Sequence, residues 1–171
     1  MKRRALLALP SLLLLTACPS GSTVNTAQAI TDAGLVVNGI AGVYQQLVTL
    51  YPKAVSTTQQ GQIATYLSAA QTALANLSAS ASALSNATSL QGVETAVNAV
   101  LNIVSGILPT IPGVPPAISA GVMAASVLLP LIETVVNQLQ GITPAPVGAA
   151  MAAPAMTPDQ ARLVLRAAAM K

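Results

Sequence analysis

Residues 90–107, LQGVETAVNAVLNIVSGI, decide the fold of this 171-residue chain. Their apolar side chains recur every three or four positions, which places them on one side of an α-helix. The stripe consists of Leu90, Val93, Val97, Val100, Val104 and Ile107. The opposite side is polar, with Thr95, Asn98, Asn102 and Ser105. Because an apolar stripe must be buried against another element, the segment predicts one helix of a packed helical assembly.

Three further segments have the same spacing, and each is followed by a break. Their stripes are Ile30, Ala33, Val37, Ile40, Tyr44, Leu47 and Tyr51; then Ile63, Leu67, Ala70, Leu74, Leu77, Ala81 and Leu84; then Ile118, Val122, Ala125, Leu129, Ile132, Val136 and Leu139. The predicted connections are residues 52–58, 86–89 and 109–116, and Gly141 ends the last helix. Short connections favour antiparallel neighbours. The sequence therefore predicts an all-α fold, an antiparallel up-down four-helix bundle over residues 24–140.

Two features interrupt this regular pattern. Gly34, Gly39 and Gly42 lie inside the first helix, where each glycine costs about 1 kcal/mol relative to Ala. They either permit close approach of another backbone or kink the helix. Pro130 lies inside the fourth helix and is expected to bend it.

Beyond the bundle the composition changes. Residues 141–156 form a Pro/Ala-rich linker, and residues 157–171 form a short basic helix. Thr157, Pro158 and Gln160 match an N-cap, a first helical position and the third residue of a capping box. This helix is predicted from about residue 158 to residue 170.

The composition excludes most site chemistry. The chain has no His, Trp or Phe, only one Cys, and 6% charged residues. These numbers argue against the common catalytic and metal-binding arrangements, so no metal or cofactor is expected. Nucleic-acid binding is not expected either, because there is neither a basic stripe nor a set of stacking aromatics.

The N-terminus has the pattern of an export signal. Lys2, Arg3 and Arg4 precede an apolar stretch, residues 5–15, which is too short to span a bilayer as a helix. The sequence Leu15-Thr16-Ala17-Cys18 follows. This junction resembles the lipobox of bacterial lipoproteins.

The resemblance implies removal of residues 1–17 and lipidation of Cys18, with residues 18–23 as lipidated Cys and tether. It implies anchoring to a membrane of the bacterial cell envelope. Pro19, in place of an Asp, favours the outer membrane with the domain facing the periplasm. Two or more acyl chains on one Cys make a durable anchor.

Without residues 1–17 the charges balance. The cations are Lys53, Arg162, Arg166 and Lys171, and the anions are Asp32, Glu94, Glu133 and Asp159. A neutral, polar surface offers little repulsion between copies. Self-association or an unidentified protein partner is therefore one expectation, and a neutral monomer is the other.

An up-down topology places Asp32, Glu94 and Glu133 toward the same end of the bundle. Glu94 and Glu133 are then expected to be neighbours, either as a paired-carboxylate site or as the dock for Arg162 and Arg166. The alternatives for this basic face are contact with anionic headgroups or a solvated helix end.

Three functions follow from these patterns. The leading one is a lipid-anchored envelope protein with a structural or protein-interaction role and no catalysis. The alternative is a membrane-inserting, holin-like or lysis-type protein that uses a helical hairpin at about residues 95–132, a stretch without charge. The polar face of residues 95–105 argues against insertion, because amides in lipid need partners. The weakest is a carboxylate-pair hydrolase.

Overall fold

The computed structural model describes residues 26–79, 83–142 and 156–170. Within these ranges the fold is all-helical. The α-helices are α1 (Thr26–Leu50), α2 (Thr57–Ala79), α3 (Ala83–Ile107), α4 (Pro116–Leu139) and α5 (Pro158–Ala169), and a 3-10 turn, Leu108–Thr110, follows α3. Cys18, the tether, residues 143–155 of the linker and Lys171 lie outside the described residues.

The apolar stripes predicted from the sequence form the core. All six stripe residues of α3 are buried, and so are those of α4 except Leu139, which is half-buried. On α1 the buried members are Ala33, Val37, Ile40 and Leu47. The 3.6-residue period thus predicted correctly which side of these helices faces the interior.

The boundary between α2 and α3 differs from the prediction. Residues 86–89 are helical rather than a connection, because α3 already begins at Ala83. Leu84 therefore belongs to α3 and not to α2. Ala87 is buried one turn before Leu90. The buried stripe of α3 therefore begins earlier in the chain than predicted, in a segment whose Ser, Asn and Thr residues favour turns.

The connections that follow α1 and α3 lie together at one end of the fold. The Tyr51 hydroxyl donates to the Gly113 carbonyl at 2.9 Å. The first connection closes with a capping box at the start of α2. The Ser56 hydroxyl accepts from the Gln59 backbone, and Gln59 Oε1 accepts from the Ser56 backbone at 3.0 Å. Lys53 is exposed at this end.

The helix α4 continues through Pro130 and ends where Gly141 predicts. Gly141 has φ of 70°, and the amide of Ile142 donates to the Asn137 carbonyl at 2.8 Å. The Gly141 amide donates to the Gln138 carbonyl at 3.1 Å. This is a Schellman motif, in which glycine supplies the left-handed conformation.

The fifth helix is packed into the assembly and is not a detached appendage. It lies against both α1 and α4. Each of these two helices buries more than the one predicted stripe. On α1 the additional buried residues are Ala29, Asp32, Val36, Gly39, Gly42 and Val43, and on α4 they are Gly121, Ala124, Leu128 and Val135.

Candidate docking site of the C-terminal helix

An ion pair joins the first turns of α5 to the first turns of α1. Arg162 Nε lies 2.8 Å from Asp32 Oδ1, and Arg162 Nη2 lies 2.7 Å from Asp32 Oδ2. Both carboxylate oxygens are therefore used in a bidentate contact, which fixes direction as well as distance. The Asp32 side chain is 3% exposed and the Arg162 side chain 21%.

Neighbouring side chains hold the two partners in position. Gln28 Nε2 donates to Asp32 Oδ1 at 2.9 Å, and Asp159 Oδ1 lies 2.7 Å from Arg162 Nη1. The hydrogen bond to Asp32 raises the pKa of Arg162, burial acts in the opposite direction, and Asp159 raises the pKa further. The guanidinium thus stays charged and oriented.

Two glycines of α1 form a cradle for the backbone of α5. A Cβ at Gly39 would lie 2.6 Å from Leu165 Cδ2 and 3.2 Å from Leu165 Cα. A Cβ at Gly42 would collide with the carbonyl oxygen of Ala168. Of the two roles proposed for these glycines, close approach is the one found, whereas no neighbour lies within 4 Å of a Cβ at Gly34.

Contacts along the two helices show that α5 runs parallel to α1. Arg162, Leu165 and Ala168 follow one another on α5 and meet Asp32, Gly39 and Gly42 in the same order. The buried face of α5 consists of Ala161, Leu165 and Ala168. We call the surface that receives it, formed by Asp32, Gly39 and Gly42 of α1 together with the facing side of α4, the α5 groove.

The start of α5 has the capping box that the sequence predicts. The Thr157 hydroxyl accepts from the Gln160 amide at 3.3 Å, and Gln160 Oε1 accepts from the Thr157 amide at 2.9 Å. A cap of this kind satisfies two helix N-terminal amides. It fixes the start of the helix, and with it the register of Arg162 against Asp32.

The prediction that Arg162 docks on Glu94 or Glu133 is corrected. Its partners are Asp32 and Asp159. The reason is that α5 lies between α1 and α4, whereas Glu94 and Glu133 line a groove between α3 and α4. Arg166 is exposed.

Glu94 and Glu133 are nevertheless brought together as expected. They line one groove with the polar residues of the outer face of α3. Partial burial, and secondarily the charge of Glu133, raise the pKa of Glu94 above its ordinary value. Asn98, Asn102, Ser105 and Ser126 complete the polar lining. Within the described residues no group of three or more His, Cys, Asp or Glu side chains is placed to hold a metal ion.

Among the described residues, three helical segments are long and apolar enough to cross a bilayer. These are α1, the segment Ser85–Thr110, which covers most of α3 and the 3-10 turn after it, and α4. Between 39% and 50% of their most apolar windows is buried inside the fold. Their length and composition are compatible with membrane association.

Comparison with protein-family models, with curated proteins and with solved structures found no match to this chain.

Asp32, Gly39 and Gly42 are absent from the sequence-based prediction of this site. The signal for Asp32 and Gly39 is a second stripe on α1, at Ala29, Asp32, Val36, Gly39 and Val43, which repeats the helical spacing beside the first. It lacks the Ile, Leu and Tyr side chains of the first stripe and contains a charged residue. A stripe of this composition becomes informative only when the short helix that fits it is recognised.

Proposed function

We propose that the chain is a lipid-anchored protein of the bacterial cell envelope with a structural or protein-interaction role and no catalytic activity. Cys18 carries the anchor, the domain faces the periplasm from the outer membrane, and α1 to α4 form an antiparallel up-down bundle. Partners of this function are the membrane, through the lipid, and a second copy or another protein.

The anchor depends on the sequence Leu15-Thr16-Ala17-Cys18 behind a basic and apolar start. Two or more acyl chains at one residue bind a bilayer durably, whereas one chain does so marginally. The signal peptide and anchor leave the helical domain in water, so its outer faces must be polar.

The observation that carries the role is the direction of the helix faces. The apolar stripes of α3 and α4 are buried, while the groove with Glu94, Asn98, Asn102 and Glu133 is open at the surface. Carboxylates and amides on an outer face suit water and are costly in lipid. These polar outer faces support a water-facing helical domain with an interaction role.

The second candidate is a membrane-inserting function of the holin or lysis type. The length and hydropathy of α3 and α4 favour it. Insertion of residues 95–132 would require the stripes to leave the core and the polar face of α3 to find partners in lipid. The carboxylate-pair hydrolase is the third candidate, and the proximity of Glu94 and Glu133 is its only support.

Labelling of the full chain with a palmitate analogue in a bacterial host tests the anchor. We expect labelled wild-type protein in the membrane fraction and no label on the Cys18→Ser variant. Ser20→Ala, a matched change two residues away, should leave labelling intact. An intact leader on the native protein, or an unmodified cysteine at its start, would contradict the anchor.

Purification of residues 19–171 separates the first two candidates. The interaction role predicts a helical protein that stays in solution without detergent. Dependence on detergent, together with leakage of dye from vesicles, would instead support insertion.

A further inference from the structure

We propose that α5 is an exchangeable helix, and that the α5 groove of one copy accepts the α5 of a second copy. The inference deepens the proposed interaction role and does not depend on the lipid anchor. Three properties carry it: the selectivity of the groove, the small size of most side chains that α5 buries, and the length of chain between α4 and α5.

The groove selects its occupant at three points. Asp32 offers both oxygens to one guanidinium, Gly39 leaves room for a leucine, and Gly42 admits the backbone at an alanine. These points match Arg162, Leu165 and Ala168, spaced three residues apart. An occupant therefore needs an arginine, a leucine and a small residue at i, i+3 and i+6 of a helix, and α5 is a helix of this pattern.

Most of the side chains that α5 buries are small. Its fully buried side chains are Leu165 and two alanines, and Leu163 on its outer side is 64% exposed. Apolar burial by alanines contributes little, and the bidentate ion pair to Asp32 fixes the position of the helix in the groove. A 12-residue helix is also marginal by itself. Release of α5 therefore gives up less apolar burial than unfolding of α1, α3 or α4.

The chain before α5 is longer than its docked position requires. The end of α4 and the start of α5 lie at the same end of the fold, because α4 runs antiparallel to α1 and α5 runs parallel to it. Gln46, late in α1, shares a surface recess with Ala117 and Ala120 at the start of α4, which shows the antiparallel direction.

Adjacent helix axes are about 8–10 Å apart. The thirteen residues 143–155 have a contour length of about 45 Å at 3.3–3.6 Å per residue. A released α5 thus reaches well beyond its own groove without strain. A second copy meets little electrostatic resistance, since the four cations and four anions of residues 18–171 balance.

A complementation experiment with residues 19–171, which contain every described helix, tests the exchange. The first variant, Arg162→Gln with Leu165→Ala, keeps the groove and weakens the helix. The second, Gly42→Val, keeps the helix and blocks the groove. We expect each variant alone to sediment as a monomer and the mixture to form a 1:1 heterodimer.

Gly34→Val is the matched control for the second variant, because a Cβ at Gly34 meets nothing within 4 Å. Its own α5 stays docked, so its mixture with the first variant should show no more heterodimer than the wild-type mixture. A mixture of the groove-blocked and helix-weakened chains that remains monomeric overturns the proposal.

A labelled peptide of residues 156–171 provides a second measurement that does not need the Gly42 variant to fold. Fluorescence anisotropy should show saturable binding to the Arg162→Gln, Leu165→Ala chain, and at least about tenfold weaker binding when Asp32→Asn is added. Equal binding with and without Asp32→Asn contradicts the selectivity. Peptide binding without heterodimer formation rejects the second copy as occupant. Because Cys18 is absent from these proteins, failure of the anchor would not alter either result.

Discussion

The strength of the ion pair between Asp32 and Arg162 depends on the positions of the two carboxylate oxygens relative to the guanidinium nitrogens. Removal of one partner of a buried ion pair usually leaves an uncompensated charge and costs several kcal/mol. Here α5 can undock instead and expose Asp32 to water. The cost of breaking the pair is therefore limited to the free energy that holds α5 in its groove.

Arg162→Gln is expected to lower the docking free energy of α5 by about 2 kcal/mol, the usual scale for hydrogen bonds to a charged group. Hydrogen exchange of the α5 amides measures the effect directly, since their protection should fall while that of α4 remains. Arg166→Gln is the control, because Arg166 lies on the same helix and is exposed. Equal loss of protection in both variants would show that the ion pair is not what holds the helix.

Glu94 provides a pH-dependent test at the scale of one residue. Its pKa is raised above 4.5 by burial and by Glu133. The folded state therefore holds this proton more tightly than the unfolded state, and stability falls as pH rises from the unfolded to the folded pKa. Above that range the ionised carboxylate is a constant penalty to the fold.

Glu94→Gln should accordingly raise the free energy of unfolding at pH 7, by less than about 1 kcal/mol because the side chain is partly exposed to solvent. The gain should disappear near pH 3, where Glu94 is protonated in both states. Thermal unfolding at the two pH values measures it. Glu133→Gln removes the repulsion and leaves the burial of Glu94, so its effect should be smaller; an effect of Glu133→Gln larger than that of Glu94→Gln would contradict the assignment.

At the scale of helices, the glycines of α1 show helix propensity and tertiary packing acting in opposite directions. Glycine in a helix interior costs about 1 kcal/mol relative to alanine by conformational entropy. Gly39 and Gly42 retain this cost in exchange for close contact with α5, whereas Gly34 makes no such contact. Substitutions at Gly42 and at Gly34 can therefore be compared within one helix.

Gly42→Ala is expected to displace α5, because the added Cβ collides with the Ala168 carbonyl and a backbone atom cannot rotate away. Gly34→Ala should stabilise the protein by about 0.5–1 kcal/mol. Chemical denaturation gives the two free energies, and amide exchange of α5 locates the change. Stabilisation by both substitutions would mean that the α5 backbone does not approach α1 so closely in solution.

At the scale of the whole molecule, one core connects the helices. Ile132 of α4 and Val97 of α3 are fully buried in the same cluster as Ile63 of α2. The short helix α5 contributes only its inner face to that cluster. We therefore expect α1 to α4 to unfold as one cooperative unit, with α5 opening first.

Ile132→Ala tests this unit, since it should lower the free energy of unfolding by about 3 kcal/mol through lost burial and the cavity left behind. The loss should appear in amides of α2 and α3 as well as of α4. Met123→Ala on the same helix is the control, because Met123 is 48% exposed and its removal should cost little. Destabilisation confined to α4 would contradict a single cooperative core.

The sequence by itself determined the helical class, the inner sides of α1, α3 and α4, the capping box at Thr157 and the end of α4 at Gly141. Each of these depends on residues within one or two helical turns, so periodicity and capping rules suffice. The start of α3 at Ala83 was missed because burial of Ala87 outweighed the turn preference of its neighbours.

Only the tertiary structure decided which carboxylate receives Arg162 and why Gly39 and Gly42 stand in α1. Asp32 and Arg162 are 130 residues apart, and the pattern along the chain offers Glu94 and Glu133 equally well. Arg162 pairs with Asp32 because α5 packs on the side of α1 that carries Asp32. That packing depends on the three-dimensional fit between two small helix faces, which the spacing of residues along the chain does not encode.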